Sequence, residues 1–152
     1  WWSKINLFEP GLINGTTLYL DLDTIITGNM DAFMDFPYDF AMLENFNDNS
    51  FIGSGMMWFK AKAPTGIYER FVQNPKQIMN HYAEAKFGSY MGDQAFIFDM
   101  LERQVDKIAS PALRSYKRHC RGGLPKGTSI VCFHGRPRPN EINPDWLKEN
   151  WT

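Results

Sequence analysis

The sequence has little cysteine and no long apolar run, and each shortage excludes a class of protein. Two cysteines in 152 residues, Cys120 and Cys132, are too few for a disulfide framework and lack the spacing of a C-x-x-C metal or redox site. We expect both thiols to be reduced and buried. No apolar run approaches the roughly 18 residues of a membrane-spanning helix, and the first residues lack the apolar core of a signal peptide. The sequence therefore predicts a cytoplasmic protein with no transmembrane segment.

The chain also lacks an excess of either charge. It has 16 basic and 17 acidic side chains and a formal net charge of −1, so its net charge does not attract nucleic acid or an anionic membrane. Hydrophobic residues make up 43% of the sequence, which is ordinary globular usage. We expect one domain over residues 1–152, with its own core and no nucleic-acid partner.

Apolar runs and helical periodicity alternate along the chain. The segment from Leu18 to Ile26 is apolar at both alternating positions, as in a strand that is buried on both faces of an α/β sheet. The same pattern predicts further strands over Phe51–Lys60 and Ser129–Phe133, and helical periodicity predicts an amphipathic helix over Gly92–Gln104. The sequence thus predicts an α/β fold.

Asp21 and Asp23 follow the first of these apolar runs. Side chains at positions i and i+2 of a strand point the same way, so both carboxylates can converge on one hard cation such as Mg²⁺ or Mn²⁺. The alternative is that one aspartate caps the following helix and the other is a solvated turn residue. We expect the metal site, because ligands bind at the carboxyl ends of strands in open α/β sheets.

A second polar segment follows the last predicted strand. His134 comes directly after it and predicts a third metal ligand, although a hydrogen-bonded structural histidine has the same position. Arg136 and Arg138 flank Pro137, and paired guanidinium groups suit the oxygens of a diphosphate. The alternative for the two arginines is an exposed basic loop.

Asp93 and Gln94 open the predicted helix over residues 92–104. A carboxylate beside an amide offers the acceptors and donors that neighbouring sugar hydroxyls need. An aspartate is also favoured at this place by helix capping and the helix dipole alone, so the structural alternative stays open.

In this order the motifs resemble glycosyltransferases of the GT-A fold, in particular the glycogenin-like and galactosyltransferase-like retaining group with its bacterial and phage relatives. The segments that carry the resemblance are the Asp-x-Asp strand Leu18–Thr24, the glycine-containing strand Gly53–Met57, the pair Asp93-Gln94 and the late segment His134–Pro139. The resemblance implies a mixed, mainly parallel open sheet flanked by helices. Because the family's nucleotide-binding strands precede its Asp-x-Asp motif by more than 20 residues, it also implies that this chain is the C-terminal portion of a catalytic domain.

The resemblance further implies a reaction and a set of site residues. The reaction is transfer of a sugar, with retention, from a nucleoside diphosphate sugar, usually a UDP-sugar, to a glycan, lipid or protein acceptor. By resemblance, Mn²⁺ or Mg²⁺ is held by Asp21, Asp23 and His134, and the diphosphate by Gly135, Arg136 and Arg138. The transferred sugar meets the catalytic pair Asp93 and Gln94, and Ser54 and Gly55 lie near sugar and acceptor.

Two other interpretations remain open. The run from Leu18 to Thr24 also resembles the first motif of haloacid dehalogenase-like phosphatases, in which Asp21 would be the nucleophile and Asp23 the general acid. That chemistry also requires a lysine and a late acidic motif on separate elements. The remaining alternative is a non-catalytic fragment or binding module that keeps only the scaffold.

Overall fold

Seven strands in the described part of the chain form two small sheets. The computed structural model describes residues 2–84 and 91–151. The strands are β1 (Thr17–Leu20), β2 (Thr24–Ile26), β3 (Phe40–Glu44), β4 (Ile52–Phe59), β5 (Asp106–Ile108), β6 (Leu113–Ser115) and β7 (Ile130–Cys132). The α-helices are α1 (Ile67–Gln73), α2 (Pro75–His81), α3 (Gly92–Met100) and α4 (Asp145–Asn150). Short 3-10 helices cover Trp2–Phe8, Asp31–Phe33 and Pro139–Glu141, and a π-helical turn covers Tyr116–Cys120.

Both sheets are mixed. The larger has the order β1-β4-β3-β5 and the smaller the order β2-β7-β6. Three of the five pairings are antiparallel, namely β1 with β4, β3 with β4 and β2 with β7. The predicted α/β class is therefore confirmed, but the predicted predominance of parallel pairing is wrong. The physical reason is that a short connection such as residues 45–51 can join only antiparallel neighbours, since parallel ones need a long crossover.

The predicted continuous strand from Leu18 to Ile26 is two strands in different sheets. The backbone N–H of Asp21 still donates to Gly55 beside β1, at 2.9 Å. The chain then turns, with the N–H of Thr24 donating to the carbonyl of Asp21 at 3.0 Å, and continues as β2 beside β7. Asp21 and Asp23 thus lie in the turn that joins the two sheets, not on one face of a strand.

The strands β3 and β4 are buried on both faces, which explains their continuous apolar runs. Met42 and Met57 belong to the core beneath α1–α3 and the first 3-10 helix, whereas Ala41 and Trp58 belong to the core shared with β6 and β7. The helix α3 buries four consecutive residues, Ala95 to Phe98, so it is embedded around most of its circumference and is not the amphipathic helix that its sequence predicts.

The cysteine prediction is confirmed, because Cys120 and Cys132 are both free and buried. Burial raises the pKa of the Cys132 thiol to about 12. No helix within residues 2–84 and 91–151 is long and apolar enough to span a membrane.

Candidate functional site

A cavity of about 810 Å³ lies where the turn between β1 and β2, the strand β4, the start of α3 and the segment after β7 meet. Its volume is within the range of roughly 300–1,000 Å³ that is usual for ligand sites. Nine of the ten residues that the sequence analysis selected line it, which are Asp21, Asp23, Ser54, Gly55, Asp93, Gln94, His134, Gly135 and Arg138. Residues far apart in sequence are therefore brought to one place.

Asp21 is held by two side chains. Its Oδ2 is 2.8 Å from Lys4 Nζ, and its Oδ1 accepts a hydrogen bond of 2.8 Å from the hydroxyl of Tyr19. Gly55 lies against this carboxylate, since a Cβ at position 55 would be in van der Waals contact with Asp21 Oδ2, at 3.4 Å. Burial, and then the carboxylate of Asp21, raise the pKa of Tyr19, which keeps that hydroxyl protonated as a donor.

Lys4 also joins Asp21 to the start of α3. Its Nζ lies 3.0 Å from Ser54 Oγ and 3.5 Å from Asp93 Oδ2, and Ser54 Oγ donates to Asp93 Oδ2 at 2.7 Å. The side chains of Lys4 and Asp93 are only 12% and 7% exposed, so the ionic contact is largely shielded from water. We call this set the Lys4 network; its members are Lys4, Tyr19, Asp21, Ser54 and Asp93.

Lys4 and Tyr19 are not among the site residues that the sequence motifs predict. One signal was present, because Lys4 is the only charged residue among the first eight and lies in a segment that also contains Trp2, Ile5 and Phe8. A charge in such a segment has to find a partner when the segment is buried.

Asp93 is the predicted helix-start residue, and its carboxylate accepts a hydrogen bond from the hydroxyl of Ser54 on β4.

Asp23 is less tightly paired than Asp21. Its Oδ2 is 3.9 Å from Nη1 of Arg138, and its carbonyl accepts a bond of 3.0 Å from the N–H of Phe133, which fixes the turn beside the end of β7. Burial, followed by the charge of Asp21, raises the pKa of the Asp23 carboxyl, while Arg138 and Lys4 act in the opposite direction. A bound cation would relieve this repulsion.

His134 is half-buried and follows Phe133, whose N–H donates to the carbonyl of Asp23. Its Nε2 is hydrogen bonded to Ser115 Oγ at 2.6 Å, and its ring stacks on Phe46 with the centroids 5.9 Å apart. Burial and the nearby Lys117 and Arg118 lower the pKa of His134, so the imidazole is neutral near pH 7. A neutral imidazole is the form that binds metals.

Asp21 and Asp23 are the candidate ligands for a hard cation. Among the described residues no group of three His, Cys, Asp or Glu side chains is placed to hold a metal ion, so ligation by His134 stays a prediction. Two carboxylates are nevertheless a usual donor set for Mg²⁺, which takes one or two carboxylates and completes its shell with water and substrate phosphates. Asp21 and Asp23 are the residues that could supply them.

The predicted pair of arginines is split. Arg138 lines the cavity, whereas the Arg136 side chain is 82% exposed, forms an ion pair with Glu141 and does not line the cavity. Gly135, with φ of +75°, makes the bend after His134 in a region that favours glycine. A Cβ there would lie 3.2 Å from Nζ of Lys117, a cation that the sequence analysis did not select.

Comparison of the chain with known proteins yields no match to any protein-family model and none to any curated protein.

Proposed function

We propose that this cavity is the active site of a metal-dependent glycosyltransferase that transfers a sugar from a nucleoside diphosphate sugar to an acceptor. The observation that carries the proposal is the convergence on one cavity of two adjacent carboxylates, a guanidinium and a carboxylate–amide pair. A nucleoside diphosphate sugar needs cations at its diphosphate and hydrogen-bonding groups at its sugar hydroxyls. The GT-A fold that the motifs resemble is part of the same proposal.

Asp21 and Asp23 are the residues proposed to hold Mn²⁺ or Mg²⁺. The bound ion would stabilise the negative charge that develops on the diphosphate leaving group. A carboxylate has about four lone-pair positions, so Asp21 can keep its bonds to Lys4 and Tyr19 and still offer a ligand. The pKa of the Asp23 carboxyl is raised by burial first and by the charge of Asp21 second, and a bound cation would offset that second cause.

Arg138 is the residue proposed to bind the diphosphate directly. Its side chain is 56% exposed and lies 3.9 Å from Asp23, so its contact with that carboxylate is weak. Phosphate oxygens offer the guanidinium a better partner, with two parallel hydrogen bonds. Lys117, behind Gly135, adds positive potential at the same end of the cavity.

The Lys4 network is proposed to position the transferred sugar. Lys4 balances the charges of Asp21 and Asp93, and Ser54 fixes the orientation of the Asp93 carboxylate. Gln94 lines the cavity next to Asp93 and adds an amide donor and acceptor. Because these groups are already oriented, they can bind sugar hydroxyls without first losing side-chain freedom.

The proposal is tested by measuring release of the nucleoside diphosphate from UDP-glucose, UDP-galactose, UDP-N-acetylglucosamine and GDP-mannose, with Mn²⁺ or with EDTA. We expect Mn²⁺-dependent turnover of at least one donor and a loss of about 100- to 1,000-fold in Asp23→Asn, the magnitude typical for removing one group that stabilises transition-state charge. The matched control is Asp35→Asn, an exposed aspartate that does not line the cavity.

Two results would contradict the proposal. One is donor turnover that persists in EDTA or in Asp23→Asn. The other is hydrolysis of a simple phosphate ester, lost in Asp21→Asn and accompanied by no turnover of any nucleotide sugar, which would favour the phosphatase interpretation.

A further inference from the structure

A second cavity of about 580 Å³ lies beside the first. The two share one wall, formed by Leu43, Asn45, Phe46 and Asn47. The ring of Phe46 stands in this wall between two histidines, with its centroid 6.0 Å from that of His119 and 5.9 Å from that of His134. A ligand in the second cavity would therefore lie next to the site that contains Asp21 and Asp23.

The lining of the second cavity combines an apolar floor with polar walls. The floor is formed by Leu43, Ile108 and Leu113, which belong to the buried core shared by the two sheets. The walls carry amides, carboxylates, a hydroxyl, a guanidinium and an imidazole, supplied by Glu44, Asn45, Asn47, Asp48, Asn49, Ser110, Arg114 and His119. Apolar contact together with many donors and acceptors suits the C–H faces and hydroxyl groups of a sugar ring.

Several of these polar groups have unused bonding capacity. Nε of Arg114 is buried and has no hydrogen-bond partner, which is costly unless a ligand or water satisfies it. Among residues 2–84 and 91–151, neither Arg114 nor Glu44 forms an ion pair. Asn49 also lines the cavity, and the bond it accepts from Lys107 goes to its main-chain carbonyl, not to its side-chain amide.

The charges of the residues that line the second cavity favour a neutral ligand over an anionic one. Glu44 and Asp48 are acidic and Arg114 is basic, while burial and the neighbouring Arg114 and Arg118 lower the pKa of His119 and favour its neutral form. The walls thus carry no excess of positive charge, and a phosphorylated or carboxylated ligand would meet two carboxylates. A neutral polyhydroxylated ligand avoids that repulsion and still uses the guanidinium and the amides as donors.

We infer that the second cavity binds a neutral saccharide, which is the acceptor of the transferred sugar. The word acceptor rests on the proposed function, whereas saccharide binding does not. The shared wall explains how an acceptor hydroxyl could reach the donor, since a sugar seated against Asn45–Asn47 borders both cavities.

Glu44→Gln and Asn49→Ala test the site, because both residues line the second cavity and neither lines the first. Binding of methyl glucoside, methyl galactoside, maltose, lactose and cellobiose is followed by ligand-observed NMR, with glucose 6-phosphate and inorganic phosphate as anionic probes. We expect at least one neutral sugar to bind, and each variant to weaken that binding by about 3- to 10-fold, the effect of losing one hydrogen bond. Asn80→Ala, an exposed asparagine on α2 outside both cavities, is the matched control and should leave binding unchanged.

Sugar transfer and donor hydrolysis then separate this inference from the proposed function. We expect both variants to lower transfer to the bound sugar and to leave Mn²⁺-dependent hydrolysis of the donor unchanged. Sugar binding that the variants weaken, without turnover of any donor, would keep the saccharide site and overturn the proposed function. Donor hydrolysis without binding of any neutral sugar, binding that neither variant changes, or preferential binding of the phosphorylated probes would each overturn the saccharide site.

Discussion

The two ends of the first cavity hold their charges in different ways. At one end Lys4 lies 2.8 Å from Asp21 and 3.5 Å from Asp93, largely shielded from water. At the other end Arg138 and Asp23 are 3.9 Å apart, the guanidinium is more than half exposed, and the carboxyl has a raised pKa. The charges of the first end are paired within the protein, whereas those of the second would be paired better by a cation and a diphosphate. Stability is therefore expected to depend mainly on the first end, and affinity for the diphosphate mainly on the second.

The largest effect is expected from Lys4→Met, which removes the cation between Asp21 and Asp93. Leaving shielded charges without their partner costs about 3–5 kcal/mol, so the free energy of unfolding should fall by that amount in denaturant titrations. Lys148→Met is the matched control, because Lys148 forms an exposed pair with Asp145 that is worth about 0–1 kcal/mol. Equal losses in the two variants would show that the Lys4 network does not stabilise the fold.

A smaller effect, confined to activity, is expected at the other end. Arg138→Ala should lower the Mn²⁺-dependent rate of donor turnover by about 10- to 100-fold, as removal of a charge-assisted hydrogen bond worth about 1.5–3 kcal/mol implies. Arg136→Ala should leave that rate unchanged, because Arg136 does not line the cavity and pairs with Glu141. If both variants lose activity equally, the proposed assignment of the diphosphate to Arg138 alone is wrong.

The smallest effect is a dependence of stability on pH. Because the folded-state pKa of Asp23 is raised from 3.8, its contribution to stability is complete below that pH and is lost as pH rises through the folded-state value. Relative to Asp23→Asn, the wild-type protein should therefore lose stability as the pH rises from below 3.8 towards neutrality, as followed by thermal denaturation. Mn²⁺ at neutral pH should restore part of that loss in the wild type alone. Parallel profiles for the two proteins would contradict the raised pKa.

The sequence predicted the buried strands and the main helix because apolar periodicity reports burial directly. The run over Phe51–Lys60 is the strand β4, and the run over Ser129–Phe133 contains β7. The run over Leu18–Ile26 gave the wrong element, because apolar residues on both sides of Asp21–Asp23 fit one long strand as well as two short ones. A local pattern of apolar residues does not indicate that the part before Asp21 pairs in one sheet and the part after Asp23 pairs in the other.

For the candidate site, the sequence motifs predicted which residues line the cavity better than they predicted the hydrogen bonds and ion pairs of those residues. Nine of the ten predicted residues line the cavity, and five of them follow the strands β1 and β7, as is usual for polar residues at ligand sites. Lys4 and Tyr19, which bond to Asp21, were missed, since the bond from Lys4 joins residues 17 positions apart in the sequence. Arg136 does not line the cavity, and the pattern Arg-Pro-Arg does not indicate which of the two guanidinium groups does; its role in diphosphate binding stays a prediction. Both the partners of Asp21 and the position of Arg136 depend on tertiary contacts, which a local sequence pattern does not contain.

The most direct test of the account is a calorimetric titration of UDP into the wild-type protein and into Asp23→Asn, each with Mn²⁺ and with EDTA. The account predicts that the wild type binds UDP only when Mn²⁺ is present, and that Asp23→Asn binds it at least about 10-fold more weakly, the factor that corresponds to 1.4 kcal/mol. Binding of equal affinity in EDTA, or in Asp23→Asn, would contradict a metal-dependent diphosphate site at this end of the cavity.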